Sequence, residues 1–130
     1  MDYKNLIDIA LEVRRNAYAP YSSFLVGSAL LTKSGKIYTG CNVENGSYGG
    51  TICAERVAFT KAISEREREF CAIAIVGGKG NDVSEFTPPC GICLQFMSEF
   101  CQGDFKVILS DGKDNEVFTL SSLLPKGFKL

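Results

Sequence analysis

The run Cys71-Ala72-Ile73-Ala74-Ile75-Val76 places apolar side chains at every position. A strand with one wet face alternates apolar and polar residues, whereas a strand without alternation is buried on both faces. This run therefore predicts a strand inside a sheet that is covered by helices on either side. It is far too short to span a bilayer.

Its sequence neighbours supply the covering helices. Leu6, Ile9, Ala10, Val13 and Ala17 recur at helical spacing and predict an amphipathic helix, stopped by Ala19-Pro20-Tyr21. Phe24 to Leu31 and Ile37 to Val43 read as two strands joined by a hairpin turn, Thr32-Lys33-Ser34-Gly35-Lys36. A loop with Gly46, Gly49 and Gly50 leads into a second helix at Cys53, where Ala54, Val57, Ala58, Lys61 and Ala62 keep the spacing. Beyond the apolar run come a loop from Gly77 to Pro89 and a helix from Gly91 to about Cys101. Strands at Phe105–Leu109 and Val117–Leu120 flank a turn at Asp111-Gly112, and Ser121 is placed to cap a short helix before Pro125. This order predicts an α/β fold: a three-layer α/β/α sandwich on a mixed, mostly five-stranded sheet. No repeat or linker divides it, so residues 1–130 read as a single domain.

The composition narrows the function. With 130 residues, 45% apolar and 22% charged, the chain has the make-up of an ordinary globular protein. Its net charge of −1 and scattered basic residues leave no stripe for a long polynucleotide. Glu65-Arg66-Glu67-Arg68-Glu69 interleaves both signs and reads as a solvated helix end. A small neutral substrate suits such a chain. Met1-Asp2-Tyr3-Lys4-Asn5 carries charge where a signal peptide needs an apolar core, and six cysteines fit reduced thiols in the cytoplasm. Gly77-Gly78-Lys79-Gly80 lacks the spacing of a phosphate-binding loop and reads as a surface loop.

Cysteine carries the chemistry, because the chain has no histidine and cysteine is its only soft ligand. The relevant segments are Cys53-Ala54-Glu55-Arg56 and Pro88-Pro89-Cys90-Gly91-Ile92-Cys93. Three thiolates, Cys53, Cys90 and Cys93, can hold Zn2+ and leave a fourth position for water, with Glu55 placed to move that water's protons. Both segments sit at helix starts, where free N–H groups and the macrodipole lower thiolate pKa. Three thiolates on zinc leave a net charge of −1, which Arg56 is placed to offset as a donor to the sulfurs. Alone, Cys90-Gly91-Ile92-Cys93 fits a redox pair, half of a structural zinc site or a pair of core residues. The long loop before it disfavours the redox pair. A closed site would need Cys41, Cys71 or Cys101 as its fourth ligand, and the last two fall in patterns that suit apolar packing.

Taken together, C-A-E-R and P-C-x-x-C resemble the small, three-cysteine, homotetrameric cytidine deaminases. The resemblance runs from Tyr18-Ala19-Pro20-Tyr21-Ser22 to Leu123-Leu124-Pro125. It implies a cytidine deaminase-like fold, a zinc cofactor, and hydrolytic deamination of free cytidine and 2′-deoxycytidine in pyrimidine salvage, with Glu55 as acid and base. It further implies that Gly40-Cys41-Asn42-Val43-Glu44-Asn45 holds the ribose. Asn42 and Glu44, two apart on an extended segment, face the same way, and without the resemblance they would read as a polar strand end. By the same resemblance Phe24 packs on the pyrimidine, and the Ala54 N–H helps fix the ring. Tyr48 and Phe128 are implied to reach a neighbouring subunit's site in a homotetramer with shared active sites. Two positions depart from the family pattern. Leu94 stands where arginine is common, and is expected to alter charge balance near the thiolates or subunit packing. Gly46 stands where alanine is usual and is expected to loosen the sugar pocket. Two other readings stay open: a deaminase for a modified or antibiotic nucleoside, and a non-catalytic binding module stabilised by zinc. A deaminase that edits nucleic acid is disfavoured by the absent basic surface.

Overall fold

In the computed structural model, which describes residues 2–130, the chain passes through nine α-helices and β-strands. They are α1 (Lys4–Val13), β1 (Phe24–Thr32), β2 (Ile37–Cys41), α2 (Ala54–Ser64), β3 (Phe70–Lys79), α3 (Gly91–Phe100), β4 (Lys106–Ser110), β5 (Asn115–Thr119) and α4 (Leu120–Leu123). The strands form one mixed sheet in the order β2-β1-β3-β4-β5. β1 runs antiparallel to both β2 and β3, and β5 is antiparallel to β4. β3 and β4 are parallel, as the crossover through α3 requires.

The apolar run lies in the central strand, and its side chains divide by parity between two cores. Ala72, Ala74 and Val76 pack with Leu6, Ile7 and Ala10 of α1. Ile73 and Ile75 pack on the opposite face with Ala58, Phe59 and Ala62 of α2 and with Cys93, Leu94 and Met97 of α3. Phe59 anchors this second core, with ring contacts to Phe70 at 5.0 Å, Phe105 at 6.0 Å and Phe96 at 6.1 Å. Trimming so buried a ring to alanine typically costs about 3–5 kcal/mol. The three predicted layers are thus present, and none of the described helices is long and apolar enough to cross a membrane.

Several boundaries differ from expectation, each for a tertiary reason. β3 extends through Gly77-Gly78-Lys79, which pair with Val26, Leu25 and Phe24 in β1. A Cβ at Gly78 would fall 1.7 Å from the Asp82 carbonyl oxygen, so glycine there lets the following loop fold back over the strand. α1 ends at Val13, and Arg14–Asn16 tighten into a 3-10 turn. β2 ends at Cys41, after which Val43 bridges to Tyr18 and Ile52 instead of to β1. The acidic and basic run after Ser64 is the α2–β3 connection, where Arg66 has a φ of 75°, and so lies past the helix end. α4 is capped by Thr119, whose hydroxyl accepts the Ser122 N–H at 3.2 Å; the expected cap, Ser121, is already inside the helix.

Candidate metal centre and active site

Cys53 and Cys90 are the N-cap residues of α2 and α3, both with extended backbone. Their carbonyls accept the first helical bonds, from Val57 at 3.1 Å and Leu94 at 3.0 Å. Neither side chain caps its own helix, so both sulfurs are free to turn to a common centre. Cys93, one turn into α3, completes a group whose three sulfurs lie within 4.8 Å of one another. Cys53 Sγ and Cys90 Sγ are 3.8 Å apart, the edge of a sulfur tetrahedron around zinc with bonds of about 2.3 Å. The donor set therefore fits Zn2+. Cys41, Cys71 and Cys101 lie outside the group; Cys101 is buried in the α2–α3 core and Cys71 packs near α1.

Electrostatics favour a thiolate at Cys53. A hydrogen bond from the Cys93 thiol pulls its pKa well down, and Arg56 and Cys90 add to this against the upward push of burial. Cys93, as the proton donor of that pair and a buried one, is pushed up. Arg56 Nη2 donates to Cys53 Sγ at 3.6 Å. Its Nε is buried with no partner among the described residues.

Glu55, beside Cys53 in the first turn of α2, is only 4% exposed. Burial pushes its carboxyl up to about 7; its own backbone N–H lowers it, and the Cys53 charge raises it further. A carboxyl poised near neutrality can both take and give a proton at working pH.

Residues that the sequence reading missed seat this turn. Ser28 in β1 donates its hydroxyl to the Ala54 carbonyl at 2.9 Å. Its cross-strand partner Gly40 in β2 leaves the space that the helix occupies. A Cβ at Gly40 would fall 2.2 Å from the Ala54 carbonyl oxygen and 2.7 Å from the Ala58 nitrogen. Arg14 was missed as well. It is buried, and its guanidinium donates to the carbonyls of Leu25 at 3.0 Å, Gly78 and Gly80 at 2.6 Å each, and Asp82 at 3.4 Å. It thus ties α1 to the start of the loop that carries Cys90. A small hydroxyl in a strand, or one arginine among several, gives no sequence signal of such contacts.

The expected sugar residues sit together. Val43 and Ile52 exchange both backbone hydrogen bonds at 2.9 Å, which sets Asn42 and Glu44 beside the segment ending at Cys53. Asn42 Nδ2 donates to the Phe24 carbonyl at 2.8 Å, and its Oδ1 accepts the Val26 N–H at 2.9 Å. The amide thereby fixes Phe24 while keeping one N–H and one lone pair. Glu44 is buried and held by the turn at Tyr21 and Ser22, which lowers its pKa chiefly through the Ser22 hydroxyl. Ala54 is fully buried at the first helical position.

The chain does not bring the two remaining aromatics into this group. Tyr48 is 62% exposed and meets Tyr21 edge-on at 6.2 Å. Phe128 is 62% exposed, with its backbone clasped by Gln95 of α3: Gln95 Nε2 donates to its carbonyl at 2.8 Å, and its N–H donates to Gln95 Oε1 at 3.3 Å. The tail is therefore docked. Leu94 is buried among the α2–α3 core side chains, so the residue at this departure serves packing. A Cβ at Gly46 would lie 3.2 Å from the Tyr21 hydroxyl, so glycine there gives that tyrosine room.

Known proteins share this arrangement. Residues 1–109 match the family model described as cytidine and deoxycytidylate deaminase zinc-binding region. A cytidine deaminase of Sporosarcina psychrophila is 47% identical over 129 residues, covering 98% of this chain and 92% of that protein. One from Halalkalibacterium halodurans is 48% identical over 129 residues, covering 98% and 95%. The crystal structure of cytidine deaminase from Burkholderia pseudomallei superposes with a TM-score of 0.90 at 44% identity, over 98% of this chain and 100% of that one. Similarity of sequence and of backbone over nearly the whole length, with the sulfurs at zinc-binding separation, leads to one conclusion: this chain belongs to the cytidine deaminase family.

Proposed function

We propose that this chain hydrolyses free cytidine and 2′-deoxycytidine to uridine and 2′-deoxyuridine, releasing ammonia. The observation that carries the reading is Glu55: a buried carboxyl in the first turn of α2, two residues from Cys53 of the three-sulfur group. Zinc held by Cys53, Cys90 and Cys93 supplies a Lewis acid that makes water nucleophilic at neutral pH. Glu55 takes one proton from the water that attacks C4 and passes it to N3, where it remains in the product. It then takes the second proton of that water and gives it to the departing amino group, so the carboxyl ends as it began. Protonation of N3 avoids an anionic ring in the transition state. The Ala54 N–H, at the open end of α2, is a donor for fixing the ring. Phe24 offers the pyrimidine a face, and Asn42 and Glu44 hold the ribose.

Residues 1–130 would act as one catalytic domain. The setting that this reading implies is cytoplasmic pyrimidine salvage by a homotetramer with shared active sites. The exposure of Tyr48 and Phe128 supports their reaching a neighbouring subunit. Light scattering with mass determination tests that assembly; a monomer at working concentration would reject it.

The deciding experiment is ultraviolet-monitored turnover of cytidine by zinc-loaded protein, with Glu55→Ala alongside. The variant should keep zinc and lose roughly 10²–10⁴-fold in rate, the range for acid/base groups. Near-normal turnover in the variant would reject the role of Glu55. A folded, zinc-loaded protein inert toward cytidine would redirect the search to modified nucleosides.

A further inference from the structure

The segment from Tyr18 to Ser22 runs beside residues 42–44 without joining the sheet. The Tyr18 N–H donates to the Asn42 carbonyl at 3.0 Å, and the Glu44 N–H donates to the Tyr18 carbonyl at 2.8 Å. The segment ends in a turn at Ser23, whose φ of 59° is left-handed without the relief of a glycine. That turn folds Ser22 back onto Glu44. Glu44 Oε1 accepts the N–H groups of Tyr21 at 3.0 Å and Ser22 at 3.1 Å. Oε2 accepts the Ser22 hydroxyl proton at 2.5 Å. The Ser22 oxygen in turn accepts the Phe24 N–H at 3.0 Å. A serine hydroxyl has a single proton, and the Phe24 N–H already occupies one of its lone pairs.

We propose that Ser22 is a positioning residue that holds the Glu44 carboxylate so that its one remaining acceptor direction meets a sugar hydroxyl. The proposal rests on the reading of Glu44 as a sugar contact. A carboxylate has about four lone-pair directions. Three are taken here, two on Oε1 and one on Oε2, which leaves one acceptor direction on Oε2. An ionised carboxylate gives no proton, so the unit recognises a hydroxyl only as donor. A sugar without that hydroxyl leaves the acceptor unmatched. Ser22 also joins the two halves of the site, because the same oxygen holds the backbone of Phe24. Base and sugar contacts are then set by one turn.

The test uses zinc-loaded full-length protein and kcat/KM for two substrates, cytidine and 2′,3′-dideoxycytidine. Wild type, Ser22→Ala, Ser22→Cys and Glu44→Gln are compared through the ratio of the two values. Losing a hydrogen bond to a charged group should lower kcat/KM for cytidine roughly tenfold in Ser22→Ala. 2′,3′-Dideoxycytidine lacks the 2′- and 3′-hydroxyls and should feel only the loss at the Phe24 backbone, about two- to threefold, so the ratio falls roughly three- to fivefold. Ser22→Cys keeps the volume with a weak donor and should lower the ratio in the same direction, which covers the case of an alanine variant that does not fold. Equal losses for both substrates in the Ser22 variants would reduce Ser22 to a structural role and overturn the proposal. Glu44→Gln separates the two levels. If it leaves the ratio at the wild-type value, the sugar reading of Glu44 itself fails and the proposal goes with it. If it collapses the ratio while the Ser22 variants do not, Glu44 binds sugar and only the role of Ser22 is refuted.

Discussion

Gly40→Ala should cost this protein both stability and turnover, although glycine has no side chain to offer a metal or a substrate. The added Cβ would stand 2.2 Å from the Ala54 carbonyl oxygen and 2.7 Å from the Ala58 nitrogen. Both are backbone atoms of α2, so no side chain can rotate away. To restore an ordinary contact, the first turn of α2 must retreat by about 1 Å, an overpacking that typically costs 1–3 kcal/mol. For a chain of 130 residues that corresponds to a Tm lower by roughly 5–10 °C. The same shift carries Cys53 and Glu55 with it and strains the Ser28 bond to Ala54. Misplacing reacting groups by about 1 Å can lower turnover up to a hundredfold. The assay is calorimetric melting, zinc content and kcat/KM on one preparation. Unchanged Tm would mean that the sheet absorbs the methyl and that the tight contact is not obligatory. A lowered Tm with full turnover per bound zinc would refute the claim that the seat of α2 sets the position of Glu55.

Other expectations follow from the same geometry. Cys90→Ala or Cys93→Ala should abolish stoichiometric zinc in elemental analysis and all measurable turnover; retention of one zinc per chain would show that the three-sulfur group is not the metal centre. Arg14→Met removes a guanidinium that serves four carbonyls, and should destabilise by about 3 kcal/mol in urea titration. It should also speed amide exchange between residues 80 and 89, and unchanged exchange there would remove Arg14 from the anchoring of the Cys90 loop. In metal-stripped protein, Glu55 holds its proton to about pH 7, whereas its ordinary value is 4.5. Between these the folded chain binds the extra proton, so stability should fall as pH rises, by on the order of 3 kcal/mol. Glu55→Gln should flatten that slope, and an identical slope in the variant would assign it to another group.

The three-sulfur group was legible in the sequence because it lies where local rules act. A helix start places a thiolate or carboxylate predictably, so C-A-E-R and P-C-x-x-C predict the group that the structure forms, with a carboxyl beside it for which we propose the acid/base role. The unbroken apolar run at 71–76 likewise announced a strand buried on both faces, since that depends only on period. Strand order and the contacts that aim the site belong to the tertiary structure. The extension of β3 over Gly77-Gly78-Lys79 exists because β1 offers partners, and the cap falls on Thr119 because α4 begins at Leu120. Ser22 on Glu44, Ser28 and Gly40 on α2, and Arg14 on four carbonyls join residues from 11 to 68 positions apart. No local pattern marks such pairs. A hydroxyl or a missing Cβ acquires its role only from what the fold sets against it.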